Sequence, residues 1–244
     1  TELKFNGQDL SSLALNARVS GDSVFIQAST AAKALKLSLD ARGKWPGTAD
    51  SLALALRMKL DTVHLMDLGL MDHKLDVRGD IVGRAAFYTT GIGYFAMNAT
   101  GLRLSNDKKA FRFKSFNVAG RLGADSSAIT LNSDAVTLAY RTNVAVDMIL
   151  PRTEEEIASY FKTDTTFHPT PGKYMDLAIT LPNSDVLTGL VLPDLHAIAL
   201  KNFTGHYDSD ADELKVNIDI PELDYDSIAV TNLAVNVNAK GNAL

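Results

Sequence analysis

The sequence contains no cysteine, and no apolar run approaches the roughly 20 residues that a membrane-spanning helix needs. The absence of cysteine excludes disulfide bonds and thiolate metal sites. Hydrophobic residues nevertheless make up 46% of the 244 residues. That content is enough to bury a sizeable core, either in one large all-β unit or in two smaller ones.

A basic stripe is also missing. The formal net charge is −5, and acidic and basic residues are interspersed along the chain. Nucleic-acid-binding proteins usually carry a cluster of Lys and Arg on one face, so we expect no nucleic-acid partner. Residues 1–5 already have the pattern of a strand instead of a signal peptide. Because the alternating pattern also continues to Ala239, we interpret the chain as a segment of a longer protein.

Alternation of apolar with polar or small residues is the most abundant pattern. Leu54, Leu56 and Met58, for example, are separated by Ala55 and Arg57. Strict alternation places all the apolar side chains on one face of a pleated strand, whereas helix-covered parallel strands have unbroken apolar runs. The pattern recurs at residues 13–19, 35–39, 52–60, 111–113, 144–150, 177–181, 214–220 and 233–237. The sequence therefore predicts an all-β fold whose sheet is mainly antiparallel.

Turn-forming clusters separate the alternating segments. Gly, Asn and Asp tolerate the left-handed backbone that tight hairpins require. Such clusters lie at residues 20–23, 45–48, 105–108, 123–126 and 208–211. Their spacing predicts a meander of hairpins and not strand-helix-strand units.

Residues 153–162 break the alternation and predict an α-helix. Thr153 and Glu156 have the spacing of a capping box at its start. A second helical turn is predicted at 184–190, and 163–173, which contains two prolines, is the best linker candidate. We therefore divide the chain into a β segment at 1–152, a helix and linker at 153–173, and a β segment at 174–244 that continues the same sheet.

The turn at residues 21–24, Gly-Asp-Ser-Val, is similar to the nucleophile block of one class of serine esterases. A nucleophilic serine needs a histidine base that an acid orients. The nearest candidate for the base and acid, Asp194-Leu195-His196, has the wrong spacing for that class. A hairpin turn between two alternating strands is the better explanation of these residues.

The acidic run Asp208, Asp210 and Asp212 alternates as in a calcium-binding loop. Glu213, however, stands where such a loop needs glycine, so a solvated acidic turn is favoured. The five histidines include neither a pair four residues apart nor a His-Glu-x-x-His run. We predict no metal, no cofactor and no enzymatic activity.

Residues 172–244 carry the most specific pattern in the chain. It consists of the segments 177–182, 185–195, 200–209, 214–221, 225–227 and 231–233, the last being Thr-Asn-Leu. Strands that end at a glycine recur at 77–82, 118–122 and 237–244. In these features the chain resembles a middle segment of the TamB (translocation and assembly module) family, within the broader AsmA-like group.

This resemblance implies a fold, a location and a function. Members of the family are anchored in the inner membrane and cross the periplasm. Their mainly antiparallel sheet curls into a long groove, open along one side, with an apolar inner face. They are implicated in phospholipid transport toward the outer membrane and, with an outer-membrane barrel protein, in outer-membrane protein assembly. The family has no catalytic residues to assign to this chain.

On this interpretation the fold is all-β with one or two short helices, an extended, curled sheet that forms an open apolar groove. Phospholipid acyl chains would bind there, since each buried methylene contributes about 0.8 kcal/mol. The alternative is a closed structural or adhesive β-solenoid or sandwich without a ligand. The predicted groove residues are Leu54, Leu56, Met58, Leu60, Val77, Val144, Val146, Met148, Leu177, Ile179, Val216, Ile218, Ile220, Leu233, Val235 and Val237.

Overall fold

A computed structural model describes residues 4–5, 8–9, 12–44, 51–123, 125–144 and 171–240, and most of them lie in strands. The all-β prediction is therefore confirmed. The strands are β1 (Lys4–Phe5), β2 (Gln8–Asp9), β3 (Ala14–Ser20), β4 (Ser23–Ala31), β5 (Leu35–Lys44), β6 (Ser51–His64), β7 (Asp76–Tyr88), β8 (Gly93–Ser105), β9 (Ala110–Arg112), β10 (Phe116–Leu122), β11 (Ser127–Ser133), β12 (Thr137–Thr142), β13 (Tyr174–Thr180), β14 (Leu195–Ala199), β15 (Asn202–Asp208), β16 (Glu213–Tyr225) and β17 (Ile228–Lys240).

One 15-stranded sheet contains all of these strands except β1 and β2, which pair with each other. Strands β3 to β8 and β10 to β13 follow one another in chain order, and β9 pairs only with β8. β14 and β15 lie along the same strand, β16, whose remaining partner is β17. Every pairing between these strands is antiparallel, as the broken apolar runs predicted.

Tight turns join the neighbouring strands. Gly21 and Asp22 form the two-residue turn between β3 and β4, and Gly21 has the positive φ of 57° that such hairpins require. The predicted turns at 105–108 and 208–211 also lie between strands. The predicted turn at 45–48 lies outside the described residues.

The predicted helical turn at 184–190 begins as a 3-10 helix, Ser184–Val186. Its N-cap is Asn183, whose side-chain oxygen accepts a hydrogen bond from the Asp185 amide at 2.8 Å. The predicted α-helix at 153–162 and the linker up to residue 170 lie outside the described residues. β12 nevertheless pairs with β13, so one sheet runs on from the residues before this interval to those after it.

Most of the buried apolar side chains collect at one end of the strands. The connections at this end are 65–75, 106–115 with the short strand β9, 134–136, and the segment 181–194, which we call the cap segment. They form two packed clusters with the adjoining strand ends. The buried members are Ala34, Val63 and Leu68 in one cluster, and Ala99, Leu102, Phe113, Ala135 and Val186 in the other. A smaller cluster of Tyr207, Leu214 and Ala239 lies at the opposite end of the C-terminal strands.

Candidate functional site: the apolar face of the sheet

The strand register brings the apolar residues of successive strands onto one face. Residues directly opposite each other in an antiparallel pair project from the same face. In the N-terminal half, Leu39 pairs with Met58, Met58 with Ile81, Ile81 with Ala99, and Ala99 with Phe116. Five consecutive strands of the sheet thus contribute one row of apolar side chains.

The C-terminal half continues this apolar face. Leu138 pairs with Ile179, Ile179 with Phe203, Phe203 with Ile218, and Ile218 with Val235. The two halves join through the pairing of β10, β11 and β12. The apolar face therefore runs from β3 to β17 without changing side.

Thirteen of the sixteen predicted groove residues lie on this face. They are Leu54, Leu56, Met58, Leu60, Val77, Leu177, Ile179, Val216, Ile218, Ile220, Leu233, Val235 and Val237. Val144 is half-buried but lies in a bend, two residues beyond the end of β12, so, contrary to the prediction, it does not belong to a strand. Val146 and Met148 lie outside the described residues.

All thirteen side chains are half-buried, and none belongs to the buried core. On β6 the intervening Ala53, Ala55, Arg57 and Lys59 are exposed. Neighbouring apolar side chains and the curl of the sheet therefore shield this face in part. Away from the cap segment, no second layer of described residues covers it, and a large apolar face of this kind is typical of a binding surface.

Glycines on the apolar face give room to large side chains of the next strand. A methyl group on Gly120 would lie 2.5 Å from Phe95 Cε1, and one on Gly83 would lie 3.0 Å from Met97 Cγ. The Phe95 ring therefore covers the place where Gly120 has no side chain. This packing keeps the face continuous across strands whose sequence contains glycine.

The cap segment closes one end of the apolar face. The Leu190 carbonyl accepts a hydrogen bond from His73 Nε2 at 2.9 Å, and the Gly189 carbonyl accepts one from Asn106 Nδ2 at 2.7 Å. His73 precedes β7 and Asn106 follows β8, although the cap segment itself follows β13. Val186 packs with Ala99 on the apolar face. The sheet is therefore curled at this end with its apolar face inside.

Both ring nitrogens of His73 have hydrogen-bond partners. Its Nδ1 lies 2.6 Å from Asp72 Oδ1, and its Nε2 donates to the Leu190 carbonyl. Both partners are hydrogen-bond acceptors, so both ring nitrogens carry a proton when both bonds form. The Asp72 carboxylate, followed by the Leu190 carbonyl and the charge of Asp194, raises the pKa of His73 against the opposing effect of burial.

The alternative chemistries have no assembled site in the described part of the chain. Ser23 starts β4 opposite Ser20, and no described hydrogen bond joins it to a histidine. Asp208 Oδ1 accepts hydrogen bonds from the amides of Asp210 and Ala211 at 2.9 and 3.0 Å, which is how a solvated acidic turn uses its carboxylate. Among the described residues, no group of three or more His, Cys, Asp or Glu could hold a metal ion.

Sequence reasoning missed several members of the apolar face. Phe95, Met97, Val118, Ile129 and Tyr140 lie on it by register, in strands where glycine, serine or exposed alanine interrupts the pattern. The available signal was the alternation of aromatic and branched residues along each strand. In β10 this alternation continues if Gly120 is counted as one of the residues on the apolar face.

No family model matches the chain, and no curated protein or solved structure matches it. The helices of the described residues include none that is long and apolar enough to span a membrane.

Proposed function

We propose that the apolar face binds the acyl chains of phospholipids. The observation that carries this proposal is the apolar face that runs from β3 to β17, exposed on β3 and mostly half-buried beyond it. The described residues place no second layer over it away from the cap segment. Acyl chains match such a face because they have no polar groups to satisfy. Each methylene removed from water contributes about 0.8 kcal/mol, whichever apolar residue it touches.

Such binding favours movement along the face. The thirteen groove residues offer no charged or hydrogen-bonding side chain that would hold a lipid at one position. A chain leaving one strand meets an equivalent surface about 4.8 Å away on the next strand. The free energy of the bound lipid therefore changes little from strand to strand, which suits transport better than storage.

The cellular setting forms part of the same proposal. We infer that the chain is a periplasmic segment of an inner-membrane-anchored protein that bridges to the outer membrane. Through other parts of that protein it would act with an outer-membrane barrel protein and support outer-membrane protein assembly. The resemblance of residues 172–244 to the TamB family supports this setting.

The test compares adjacent residues that project from opposite faces of one strand. Ile218→Asp places a charge on the apolar face, and Asn217→Asp places the same charge next to it on the exposed face. Leu56→Asp repeats the first change in the N-terminal half. We expect Ile218→Asp and Leu56→Asp to lose phospholipid adducts in native mass spectrometry and Asn217→Asp to retain them.

Photo-crosslinking from a reactive residue at 218 or 217 provides the second measurement. Lipid capture at 218 and not at 217 is expected. Equal capture by both positions, or lipid adducts that survive both apolar-face substitutions, would contradict the proposal. Complete absence of lipid from the unmodified protein after gentle purification would favour the closed structural alternative.

A further inference from the structure

The face opposite the apolar one contains a hollow of about 890 Å³ that extends from β4 to β11. Its volume lies within the range of about 300–1,000 Å³ that is typical of ligand pockets. Six alanines, on five strands, project from this face at the hollow. They are Ala53, Ala55, Ala86, Ala96, Ala119 and Ala128. Elsewhere this face carries longer polar side chains such as Lys59 and Asn217, so the alanines form a distinct apolar floor.

Two rows of the strand register build the hollow. In the first row, Ala55 lies between Arg42 on β5 and Arg84 on β7, and the row continues from Arg84 to Ala96 and Ala119. Because neighbouring strands are about 4.8 Å apart, the backbones of the two arginines are about 10 Å apart. That gap can admit an anionic group between two guanidinium groups.

The second row supplies the remaining walls. Tyr94 lies between Ala86 and Arg121, and Arg121 pairs in turn with Ala128. The Arg121 guanidinium carbon lies 6.0 Å from the centroid of the Tyr94 ring, in the range of a cation–π contact. The Tyr94 ring therefore projects beside the alanine floor, where it can contact an alkyl chain.

The charge of the hollow is of one sign although the whole chain is acidic. Four cationic side chains and no acidic ones are among the described residues that line it, the cations being Arg42, Lys44, Arg84 and Arg121. Arg42 is paired with Asp40 at 2.9 Å, and Arg121 donates to Ser126 Oγ at 2.7 Å.

Arg84 on β7 and Lys44 on β5 are the cations of the hollow that are available to a ligand. Both are exposed, and neither an ion pair nor a side-chain hydrogen bond connects them to another described residue. Arg84 is the more central of the two, since Lys44 lies on a strand near the border of the hollow. The Arg84 guanidinium has five donors in a planar fork that matches phosphate geometry. A phosphate held here would therefore not have to displace an existing partner of Arg84.

We propose that this hollow binds a single-chain amphiphile with a phosphate head group. The alkyl chain lies on the alanine floor beside Tyr94, and the phosphate lies between Arg84 and Arg42. The alanine floor, bordered by Tyr94 and the four cations, suits one monomeric molecule with an alkyl chain and an anionic head group. This site is separate from the proposed lipid path, because the same strands present it on their other face.

Dodecyl phosphate, below its micelle concentration, is the probe for this site. Calorimetric titration of the full chain should give saturable binding that Arg84→Gln weakens by about 10-fold or more, the effect of losing a hydrogen bond to a charged group. The matched control is Arg78→Gln, an exposed arginine of the same strand outside the hollow. Its affinity should remain within about twofold of the unmodified chain.

Two further probes separate the contributions of chain and charge. Inorganic phosphate lacks the alkyl chain and dodecyl maltoside lacks the anion, so each should bind at least about 10-fold more weakly than dodecyl phosphate. A photoreactive residue at position 119 should capture the amphiphile, and Arg84→Gln should reduce that capture. Any capture at the neighbouring position 118, on the apolar face, should be unaffected by Arg84→Gln. Circular dichroism of Arg84→Gln should be unchanged, since the side chain has no described partner to lose.

Several outcomes would overturn the proposal. Binding that Ile218→Asp abolishes and Arg84→Gln leaves intact would place the amphiphile on the apolar face. Capture of phosphate-bearing vesicles without binding of the monomer would indicate a membrane surface. Displacement of the probe by an oligoglutamate peptide of equal affinity would indicate an acidic protein partner. Failure of the site at Arg84 would leave the phospholipid proposal for the apolar face standing, and failure of that proposal would leave the Arg84 site standing, so the two proposals can fail separately.

Discussion

The covered and uncovered parts of the apolar face differ in burial although they share one sequence pattern. At the cap end, Val63 and Ala99 are 9% and 8% exposed because loops and the cap segment pack against the strand ends. Along the uncovered part, Leu56 and Ile218 remain half-buried. Alternation thus determines which residues share a face, and the long-range packing of loops determines whether that face becomes core or binding surface.

The largest expected difference between the two parts is in stability. Leu190→Ala should lower the free energy of unfolding by about 2–5 kcal/mol, because it leaves a cavity in a fully buried site. Leu56→Ala should cost only about 1 kcal/mol, since its side chain already contacts solvent. Urea unfolding followed by circular dichroism measures both. Equal losses would mean that the uncovered part is as tightly packed as the cap end.

Within the uncovered part, two glycines of the apolar face should differ in how much stability is lost when a methyl group is added. Gly120→Ala should cost about 1–3 kcal/mol because the Phe95 ring must move from its place over the glycine. Gly205→Ala is the control, since its methyl group would meet only Leu177 Cβ at an ordinary 3.9 Å. We expect Gly205→Ala to be neutral or slightly stabilising in the same unfolding experiment. If both substitutions were neutral, the Phe95 packing would not shape the face.

The smallest effect concerns the attachment of the cap segment. Because the pKa of His73 is raised in the folded protein, its stabilisation is complete below the ordinary histidine pKa of about 6.5. It is lost as the pH rises through the raised value, when one of the two ring hydrogen bonds can no longer form. The melting temperature should therefore fall more between pH 6 and pH 9 for the unmodified chain than for His73→Gln.

Hydrogen exchange gives a local measurement of the same effect. The amides of Val191 and Leu192, which bond within the cap segment, should exchange faster at high pH after correction for intrinsic rates. Identical pH profiles of the two proteins would show that His73 does not hold the cap segment.

The sequence was sufficient for the strongly alternating strands, such as β6, and for the face that their apolar residues share. Leu54, Leu56 and Met58 alternate strictly, and period-two alternation has only one geometric outcome on a pleated strand. It was also sufficient for the short helical turn that starts at Ser184, because Asn183 and the flanking prolines act locally. Such features depend on residues a few positions apart.

Features that depend on distant residues could not be predicted in the same way. The bond from His73 to the Leu190 carbonyl spans 117 positions, and no local pattern indicates it. No sequence pattern distinguishes the alanine floor from an ordinary solvated face, because Ala53 and Ala55 are small enough to fit either face of a strand. Only the register of β5 to β11 shows that six alanines adjoin four cations.

The half-buried apolar face has a consequence for how this chain can change over generations. A position such as Val216 or Ile218 needs an aliphatic side chain but no particular one, since neither is enclosed on all sides. Exchanges among Val, Ile, Leu and Met should therefore persist at most such positions. The buried cap residues and Gly120 tolerate fewer replacements. Descendants of one ancestor would therefore retain the period-two alternation of the strands and a few constrained residues. Most other positions would no longer be identical.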